Sequence, residues 1–281
     1  MTVAIAIFAH DEERRIAHCL GSLPLHRPDL RFHLLVNGST DRTAIIARRF
    51  LEGMPNAQVH DLHPGGKSRT WNRFVHEIAG PHDAYVFMDG DAEIAPGSID
   101  ALVSALAKNP AANGAAGMPL NGRHHRLYRE TMKAEGGLFG DLYALSGAFV
   151  AQIRARGLSL PEDLIGDDGL VCAWAMTNLG TDADWDKDRV IPCEDAGFLC
   201  EPVGLANPVT WRVQYRRMIN YSVRYFQNRI VSAIMARQGP AGLPARLSDL
   251  YADSLPRLKP RPGITGWFDR KALARMRSAS A

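Results

Sequence analysis

The segment Asp89-Gly90-Asp91 has the residue types and the spacing of a site for a divalent cation. It follows a short apolar run, Ala84 to Met88, which is typical of a buried strand. Two carboxylates at the end of a strand can point at one position and hold a hard cation, while a polyphosphate completes the oxygen shell. The same three residues also occur in ordinary turns, where the aspartate caps a helix.

A second acidic pair, Asp167-Asp168, precedes another apolar run that begins at Leu170. Neighbouring carboxyl groups raise each other's pKa, and such a shift suits one of them to act as a general base. The alternative is N-capping of the helix that follows. The sequence does not say which of the two would point toward a substrate.

Two further segments offer groups for a nucleotide or its phosphates. The turn Val36-Asn37-Gly38-Ser39-Thr40-Asp41 joins a strand to a capped helix, whose amides and positive end could meet a base or a ribose. Gly65-Gly66-Lys67 lets the backbone approach a phosphate and adds an ammonium group, without the spacing of a P-loop. An ordinary strand-to-helix turn and a solvated lysine are the alternatives.

Alternating strands and helices must position these motifs in the first half of the chain. The predicted strands are Val3–Phe8, Phe32–Val36, Gln58–Leu62 and Ala84–Met88. The predicted helices are Asp11–Leu23, Thr40–Phe50, Lys67–Ala79 and Ser98–Lys108. This alternation indicates βαβ units and a mostly parallel sheet, whose ligands bind at the carboxyl ends of the strands, where the polar motifs fall.

The second half of the chain is less regular. Leu120–Gly137 is predicted to be a mobile loop, and Leu142–Ile153 a strand or a strand followed by a helix. An acidic turn and a helix are expected within residues 161–176, and Trp211–Arg237 is predicted to be a long helix. The tail from Gly239 onward contains several Pro and Gly residues, and we expect it to pack loosely.

Composition narrows the class of protein. The chain has 281 residues, 46% of them hydrophobic, which is enough for a full α/β core. Its net charge of +3 is not concentrated in a basic run, so nucleic acid is not an expected partner. Four irregularly spaced cysteines predict reduced thiols. No signal peptide or membrane span is recognisable, and we expect a cytoplasmic protein.

Taken in order, the motifs resemble those of family 2 glycosyltransferases, the inverting enzymes with a GT-A fold. The ordered set is Ala9-His10-Asp11-Glu12, Asn37-Gly38-Ser39-Thr40-Asp41, Gly66-Lys67 with Asn72, Asp89-Gly90-Asp91, Gly147 and Asp167-Asp168, and it continues through Glu201-Pro202-Val203 to Gln214 and Arg217. The resemblance implies an α/β fold with a nucleotide-binding, mostly parallel sheet flanked by helices over residues 1–210. A C-terminal helical extension, residues 211–281, would pack on it.

The resemblance also implies an activity and a role for each matched residue. The enzyme would move a sugar from a nucleotide-diphosphate-sugar donor to an acceptor hydroxyl, with Mn²⁺ or Mg²⁺ held by Asp89 and Asp91. Asp168, in the acidic pair with Asp167, would be the catalytic base. Gly147 would line the junction between donor and acceptor. The residues expected to bind the nucleotide sugar are Ala9, Glu12, Asn37, Lys67, Asp89, Gly90 and Gly147.

The chain departs from the family pattern at some positions. Asp11 and Asp167 stand where the family usually has Asn and Glu, and Met218 stands where processive members have Trp, which argues against a polysaccharide synthase. All ten histidines lie at or before His125, so a late histidine cannot be a metal ligand. The diphosphate and water would then complete the metal's shell, or Glu194 or Asp195 would contribute.

The acceptor implied by the resemblance is a glycan or a lipid-linked hydroxyl compound, in glycan or glycolipid synthesis of the bacterial type. On the long helix, Ile219, Val223, Phe226 and Ile230 recur at helical spacing, which favours packing on the domain. A second, polar face of the same helix is predicted to carry Arg216, Asn220, Arg224 and Gln227. The Arg and Tyr residues of the helix permit a second interpretation, peripheral contact with the inner face of an anionic membrane.

Two other functions stay open from the sequence. A nucleotidyltransferase shares a related sheet and metal chemistry, but it normally has a glycine- and arginine-rich phosphate loop after the first strand, where this chain has Ala9-His10-Asp11-Glu12. The other is a catalytically silent protein that binds a nucleotide sugar. Its intact acidic motifs count against it.

Overall fold

A single twisted sheet forms the centre of the protein. The computed structural model describes residues 1–200 and 208–279. Within them, eight strands lie in the order β3-β2-β1-β4-β7-β6-β8-β5. Their bounds are β1 Val3–Ala9, β2 Leu30–Asn37, β3 Ala57–Leu62, β4 Ala84–Asp89, β5 Ala92–Ile94, β6 Gly114–Pro119, β7 Leu142–Ser146 and β8 Val190–Cys200. The four strands predicted from the sequence are confirmed as the first four of this sheet.

The first four strands are parallel, and their register brings the polar motifs to one edge. Phe8 pairs with Asp89, Ala9 with Val36, and Asn37 with Leu62. Every residue of β1 is buried, as is typical of a parallel strand covered on both faces. The carboxyl ends of β1, β2 and β4 therefore lie side by side.

The other half of the sheet mixes directions. β7 runs antiparallel to both β4 and β6, β8 is parallel to β6, and β5 is antiparallel to β8. In the pairing of β4 with β7, Met88 lies opposite Leu142 and Ala84 opposite Ser146. The start of β7 is therefore beside the end of β4, where the acidic motif begins.

Helices cover both faces of the sheet. Their bounds are α1 Ile16–Gly21, α2 Thr43–Phe50, α3 Lys67–Arg73, α4 Ser98–Lys108, α5 His125–Glu135, α6 Gly147–Ala155, α7 Asp167–Met176, α8 Pro208–Gln238, α9 Tyr251–Ser254 and α10 Gly263–Ala279. A π-helical turn, Phe74–Ile78, continues α3 and completes the helix predicted over Lys67–Ala79. The long helix predicted over Trp211–Arg237 is confirmed as part of α8.

The first helix is shorter than the predicted Asp11–Leu23. The amides at the start of this segment donate hydrogen bonds to side chains of the turn after β2 and of α2, instead of to the backbone carbonyls of a helix. Asp11 N donates to Ser39 Oγ at 3.0 Å, and Glu12 N donates to Thr43 Oγ1 at 2.8 Å. Asp11 also has a positive φ of 54°. These contacts tie the segment after β1 to the turn after β2.

The prediction of a mobile loop over Leu120–Gly137 was wrong. Residues His125–Glu135 form the helix α5, whose single buried side chain is Met132. One buried position in eleven residues leaves no apolar period for a sequence pattern to detect. The helix ends at Gly136, whose φ of 73° suits glycine.

The prediction of loose packing after Gly239 was also wrong. The apolar side chains of this tail that join the main core are Leu247, Tyr251, Leu255, Ala272, Leu273 and Met276. The carboxylate of Asp163 accepts hydrogen bonds from the amides of Leu247 and Ser248 at 2.7 and 2.9 Å. The buried side chains of this tail are isolated in a segment that contains Pro, and polar contacts with residues far along the chain hold the segment in place. Such a segment has no periodic apolar pattern that would predict its packing.

Core side chains of α8 and of the tail belong to the same cluster as those of β4 and α7. The division into residues 1–210 and 211–281 stays a prediction. The segment Glu201-Pro202-Val203 lies outside the described residues. None of the described helices is long and apolar enough to cross a bilayer.

Candidate active site

The Asp89-Gly90-Asp91 motif lies flat against the end of β1. Gly90 N donates to Phe8 O at 2.7 Å, and a Cβ on Gly90 would lie 2.9 Å from Ala9 Cβ. A larger residue cannot occupy this turn without moving β1. The glycine therefore lets the two aspartates leave β4 side by side, and Ala9 supports the turn from beneath.

A third carboxyl group joins them from a strand that runs the other way. One carboxylate oxygen each of Asp89, Asp91 and Asp141 lie within 4.8 Å of one another. Asp141 immediately precedes β7, and the antiparallel pairing of β7 with β4 brings it there. Sequence analysis missed Asp141 because it placed the motifs on parallel strands. An antiparallel partner contributes residues from its start rather than its end.

The late acids considered as metal ligands lie elsewhere. Glu194 makes ion pairs with Lys133 at 2.8 Å and with Arg129 at 3.9 Å, and Asp195 is exposed. Among the residues that the structure describes, Asp141 is therefore the third acid of the cluster.

Burial makes Asp89 and Asp141 costly to ionise together. Burial raises the pKa of Asp89 to about 8; Lys67 opposes this rise and Asp141 adds to it. Burial likewise raises the pKa of Asp141, whose Oδ1 accepts a hydrogen bond from Cys200 Sγ at 3.1 Å. A divalent cation would remove this cost. The donor set fits one, because it consists of carboxylate oxygens around a single point.

Lys67 connects the two acidic motifs. Its Nζ lies 2.5 Å from Asp89 Oδ1 and 3.8 Å from Asp167 Oδ2. Burial alone would lower the pKa of this ammonium group, but Asp167 and Asp89 raise it well above its usual value. The lysine is therefore charged and held between the two motifs, as their counter-ion.

Asn37 acts on the glycine segment that precedes Lys67. Its Oδ1 accepts hydrogen bonds from Gly66 N at 2.6 Å and from Thr70 Oγ1 at 3.1 Å. A Cβ on Gly38 would lie 2.6 Å from Gly65 Cα, so the two turns touch. Asn37 is buried, and the structure shows its side chain holding the start of α3.

The pair Asp167-Asp168 begins α7, after Gly166 with a φ of 93°. Asp167 is buried, and burial raises its pKa, while Lys67 acts in the opposite direction. Asp168 is less enclosed, and its Oδ1 accepts a hydrogen bond from Arg224 Nη2 at 2.9 Å. The sequence assigned Arg224 only to a polar face of α8, so it missed this contact.

Glu12 lies on the other side of the acid cluster. Its Oε2 is 2.6 Å from Arg15 Nη2, and Arg15 Nη1 is 3.4 Å from Asp91 Oδ2. Burial, and then the nearby Asp91, raise the pKa of Glu12 to about 7, although Arg15 opposes them. The arginine thus bridges Glu12 to the aspartate motif.

Gly147 lies away from this site, which corrects the prediction that it lines a junction between donor and acceptor. It begins α6, and its amide donates to Asp83 O at 2.8 Å, before the start of β4. The reason is again the direction of β7, which carries the chain away from the acids. The glycine at the site is Gly140, whose Cβ would lie 3.6 Å from Asp89 Oδ2 and 3.8 Å from Asp168 Cβ.

Six carboxyl groups and three cationic side chains thus meet at the carboxyl ends of β1, β2 and β4. The acids are Glu12, Asp89, Asp91, Asp141, Asp167 and Asp168, and the cations are Arg15, Lys67 and Arg224. The excess of negative charge suits a divalent cation, and the half-enclosed Asp168 suits proton transfer.

Comparison with known proteins agrees with this geometry. A mannosyltransferase from Pyrobaculum calidifontis, solved with GDP-Man and Mn²⁺, has a TM-score of 0.62 at 20% identity, over 99% of this chain and 74% of its own. Glucosyl-3-phosphoglycerate synthase from Mycobacterium tuberculosis, solved with Mn²⁺, UDP-Glc and phosphoglyceric acid, has a TM-score of 0.53 at 19% identity, over 78% of this chain and 79% of its own. At these identities the likeness establishes the GT-A fold.

Sequence comparison provides the family. No protein of curated function matches the chain. The model of glycosyl transferase family 2 matches residues 4–156, which is more than half of this chain. The matched range includes nearly all of β1, the glycine segment, the three-aspartate cluster and β7. The chain therefore belongs to glycosyl transferase family 2.

Proposed function

We propose that the protein transfers a sugar, with inversion, from a nucleotide-diphosphate-sugar donor to an acceptor hydroxyl, using Mn²⁺ or Mg²⁺. The observation that carries the proposal is the meeting of two acidic motifs across Gly140, with Lys67 between them. One motif has the ligands of a cation and the other has a candidate base. The neighbours solved with GDP-Man or UDP-Glc and Mn²⁺ support the same class of donor.

Asp89, Asp91 and Asp141 would hold the cation. When bound, it neutralises charge on the diphosphate leaving group. Lys67 lies next to Asp89 and supplies a further positive charge where a diphosphate would bind. Asn37, through its bonds to the glycine segment, orients the start of α3 and hence Lys67.

Asp168 would take the proton from the acceptor hydroxyl as its oxygen attacks the anomeric carbon. The side chain of Asp168 is 17% exposed and that of Asp167 only 6%, so the first is the one an acceptor can reach. Arg224 fixes its orientation. A single displacement from the face opposite the diphosphate inverts the anomeric configuration.

The test is a calorimetric screen of UDP-, GDP-, dTDP- and CDP-sugars, with and without Mn²⁺ or Mg²⁺. We expect one nucleotide to bind in a metal-dependent way and Asp91→Ala to abolish that binding. Slow donor hydrolysis without acceptor separates an enzyme from a silent binding protein, and proton NMR of the product gives the anomer. Binding without any turnover would favour the silent protein, and release of pyrophosphate from a nucleoside triphosphate would favour a nucleotidyltransferase.

We propose further that the enzyme acts in glycan or glycolipid synthesis at the cytoplasmic side of a membrane. Its contact with the membrane would be peripheral and would be made by α8 and α10. Residues 211–281 contain fourteen Lys and Arg but only three Asp. Large side chains of the same segment are exposed: Trp211 by 69%, Tyr221 by 56% and Trp267 by 42%. Cations interleaved with exposed aromatic rings suit an anionic lipid surface.

Vesicle co-sedimentation tests this contact. We expect the protein to bind vesicles that contain phosphatidylglycerol, and to be released by salt, while vesicles of phosphatidylcholine alone leave it in solution. Binding that is independent of anionic lipid would contradict the contact.

A further inference from the structure

A groove outside the acid cluster lies between α7 and the middle of α8. Its volume is about 430 Å³, within the range of about 300–1,000 Å³ that small-molecule sites occupy. Its apolar wall consists of Leu170, Ala173, Val231 and Met235. Trp185 also lines it and is 51% exposed. The groove is thus open to solvent, with an aromatic ring available to a ligand.

One end of the groove adjoins the candidate base. Gly169, which follows Asp168 in the first turn of α7, is one of its lining residues. On α8, Asn228 lines the groove one turn after Arg224. Arg224 Nη2 donates to Asp168 Oδ1 at 2.9 Å, and a Cβ on Gly169 would lie 3.3 Å from the same Nη2. This ion pair therefore adjoins the groove at Gly169, although neither of its side chains lines the groove.

The polar groups of the groove select for hydroxyl groups rather than for anions. Asp182, Asn228 and Ser232 offer a carboxylate, an amide and a hydroxyl. No lysine or arginine is among the described residues that line it, and Arg224 is engaged by Asp168. A phosphate or carboxylate in the groove would be repelled by the exposed carboxylate of Asp182. The indole of Trp185 suits the C–H face of a sugar ring, which is apolar, while the ring hydroxyls are polar.

We propose that this groove binds the acceptor and that the acceptor presents an uncharged sugar ring there, with one hydroxyl directed at Asp168. The inference rests on the proposed function and names its acceptor class. It sets this chain apart from its neighbour solved with phosphoglyceric acid, because none of the described residues that line the groove is a cation for an acidic acceptor.

Direct binding tests the groove without any donor. Methyl α-mannoside, methyl β-glucoside and maltose are the neutral probes, and phosphoglyceric acid is the anionic one, measured by calorimetry on the full chain. We expect a neutral probe to bind, with a Kd about tenfold higher in Trp185→Ala, the loss of one aromatic contact. Ser232→Phe, which fills the groove from α8, should abolish binding. Both side chains are exposed, so neither change disturbs the core.

Leu127→Ala is the matched control, because it removes an apolar side chain of comparable exposure, 64%, from α5 outside the groove. It should leave binding unchanged. Failure of every neutral probe to bind, preferential binding of phosphoglyceric acid, or an unchanged Kd in both groove variants would each overturn the inference. Donor hydrolysis by the unmodified enzyme reports the proposed function separately, so failure of one is distinguishable from failure of the other.

Discussion

Asp141 adds a third carboxyl group to a position where burial already raises the pKa of Asp89 to about 8. Asp141→Asn should therefore raise the melting temperature of the metal-free protein, since one buried charge is removed. It should also lower the affinity for Mn²⁺, measured with a nucleoside diphosphate present, by about 10- to 100-fold or more, because a direct ligand is lost and the loss of an outer partner alone costs that much. Thermal unfolding with and without metal and nucleotide measures both effects.

Glu194→Gln is the control for that change, since Glu194 pairs with Lys133 away from the cluster. It should leave the metal response intact. If Asp141→Asn left the response to Mn²⁺ unaltered, the assignment of Asp141 as a metal ligand would be contradicted.

Asp168 and Glu162 lie in the same part of the chain but have different partners, Arg224 and Arg69, which predicts different consequences of substitution. Asp168→Asn should lower kcat by about 10²- to 10⁴-fold, the usual contribution of a general base, while the KM for the donor is kept. Glu162→Gln, in the same loop but paired with Arg69, should change neither. Steady-state kinetics with donor and acceptor varied in turn separates kcat from KM. A loss of donor affinity in Asp168→Asn would contradict its role as the base.

At the scale of elements, β7 has a glycine near each end, Gly140 before it and Gly147 after it. Because of the direction of β7, the two glycines have different neighbours. A methyl group at Gly140 would lie 3.0 Å from Lys67 Nζ, the movable end of a long side chain. At Gly147 it would overlap the carbonyl oxygen of His82, which is fixed backbone. Gly140→Ala should therefore raise the KM for the donor and leave stability nearly unchanged. Gly147→Ala should reduce the free energy of unfolding by about 1–3 kcal/mol, as overpacking does.

Chemical denaturation and donor kinetics on the two variants decide this prediction together. A Gly147→Ala protein that folds normally but binds donor poorly would restore Gly147 to the site and contradict the position that we describe.

At the scale of the whole molecule, the C-terminal segment contacts α8 through Arg261, whose Cζ lies 3.9 Å from the ring centroid of Tyr225. The ion-pair partner of Arg261 is the buried Asp269 of α10. Asp269 Oδ2 accepts hydrogen bonds from Arg261 N at 2.8 Å and from Arg261 Nε at 2.9 Å. These bonds lower the pKa of Asp269 from 3.8 to about 2. A carboxyl group with a depressed pKa in the folded state stabilises the fold above its unfolded pKa, and this contribution disappears as the pH falls toward 2.

Asp269→Asn should consequently cost about 1–2 kcal/mol of unfolding free energy at pH 7. The difference between the two proteins should shrink between pH 4 and pH 2. Urea unfolding at several pH values gives both quantities. A difference that is constant with pH would mean that packing of the side chain, rather than its charge, holds the segment.

The sequence predicts much of this molecule because the first half of the sheet follows local rules. β1 is uniformly apolar and β4 ends at Asp89, so their parallel arrangement and the position of the aspartate motif could be predicted. The long helix α8 could be predicted because Val223, Phe226 and Ile230 recur at helical spacing, and all three are buried.

What the sequence does not show depends on contacts between distant segments. Asp141 enters the site through an antiparallel pairing, and no local pattern distinguishes that from a parallel one. Gln227 lies on the face predicted to be polar, but it is 1% exposed. Its side chain bonds Ile165 N, Asp163 O and Tyr251 Oη at 2.8–2.9 Å. Such a residue is identified only when its partners are in place.

The contact between Lys67 and Asp89 has a consequence for the order in which ligands bind. A cation approaching the aspartates alone has to displace the ammonium group 2.5 Å from Asp89, whereas a diphosphate offers that ammonium group another partner. Metal and nucleotide should therefore bind synergistically, each raising the affinity of the other by the same factor. In Lys67→Met the factor should fall but stay above one, because the competition is gone and Mn²⁺ binds the empty protein more tightly, while the direct attraction between the cation and the diphosphate remains. Calorimetric titration of Mn²⁺ with and without nucleoside diphosphate measures this coupling, and equal coupling in both proteins would show that the lysine does not act as a competitor.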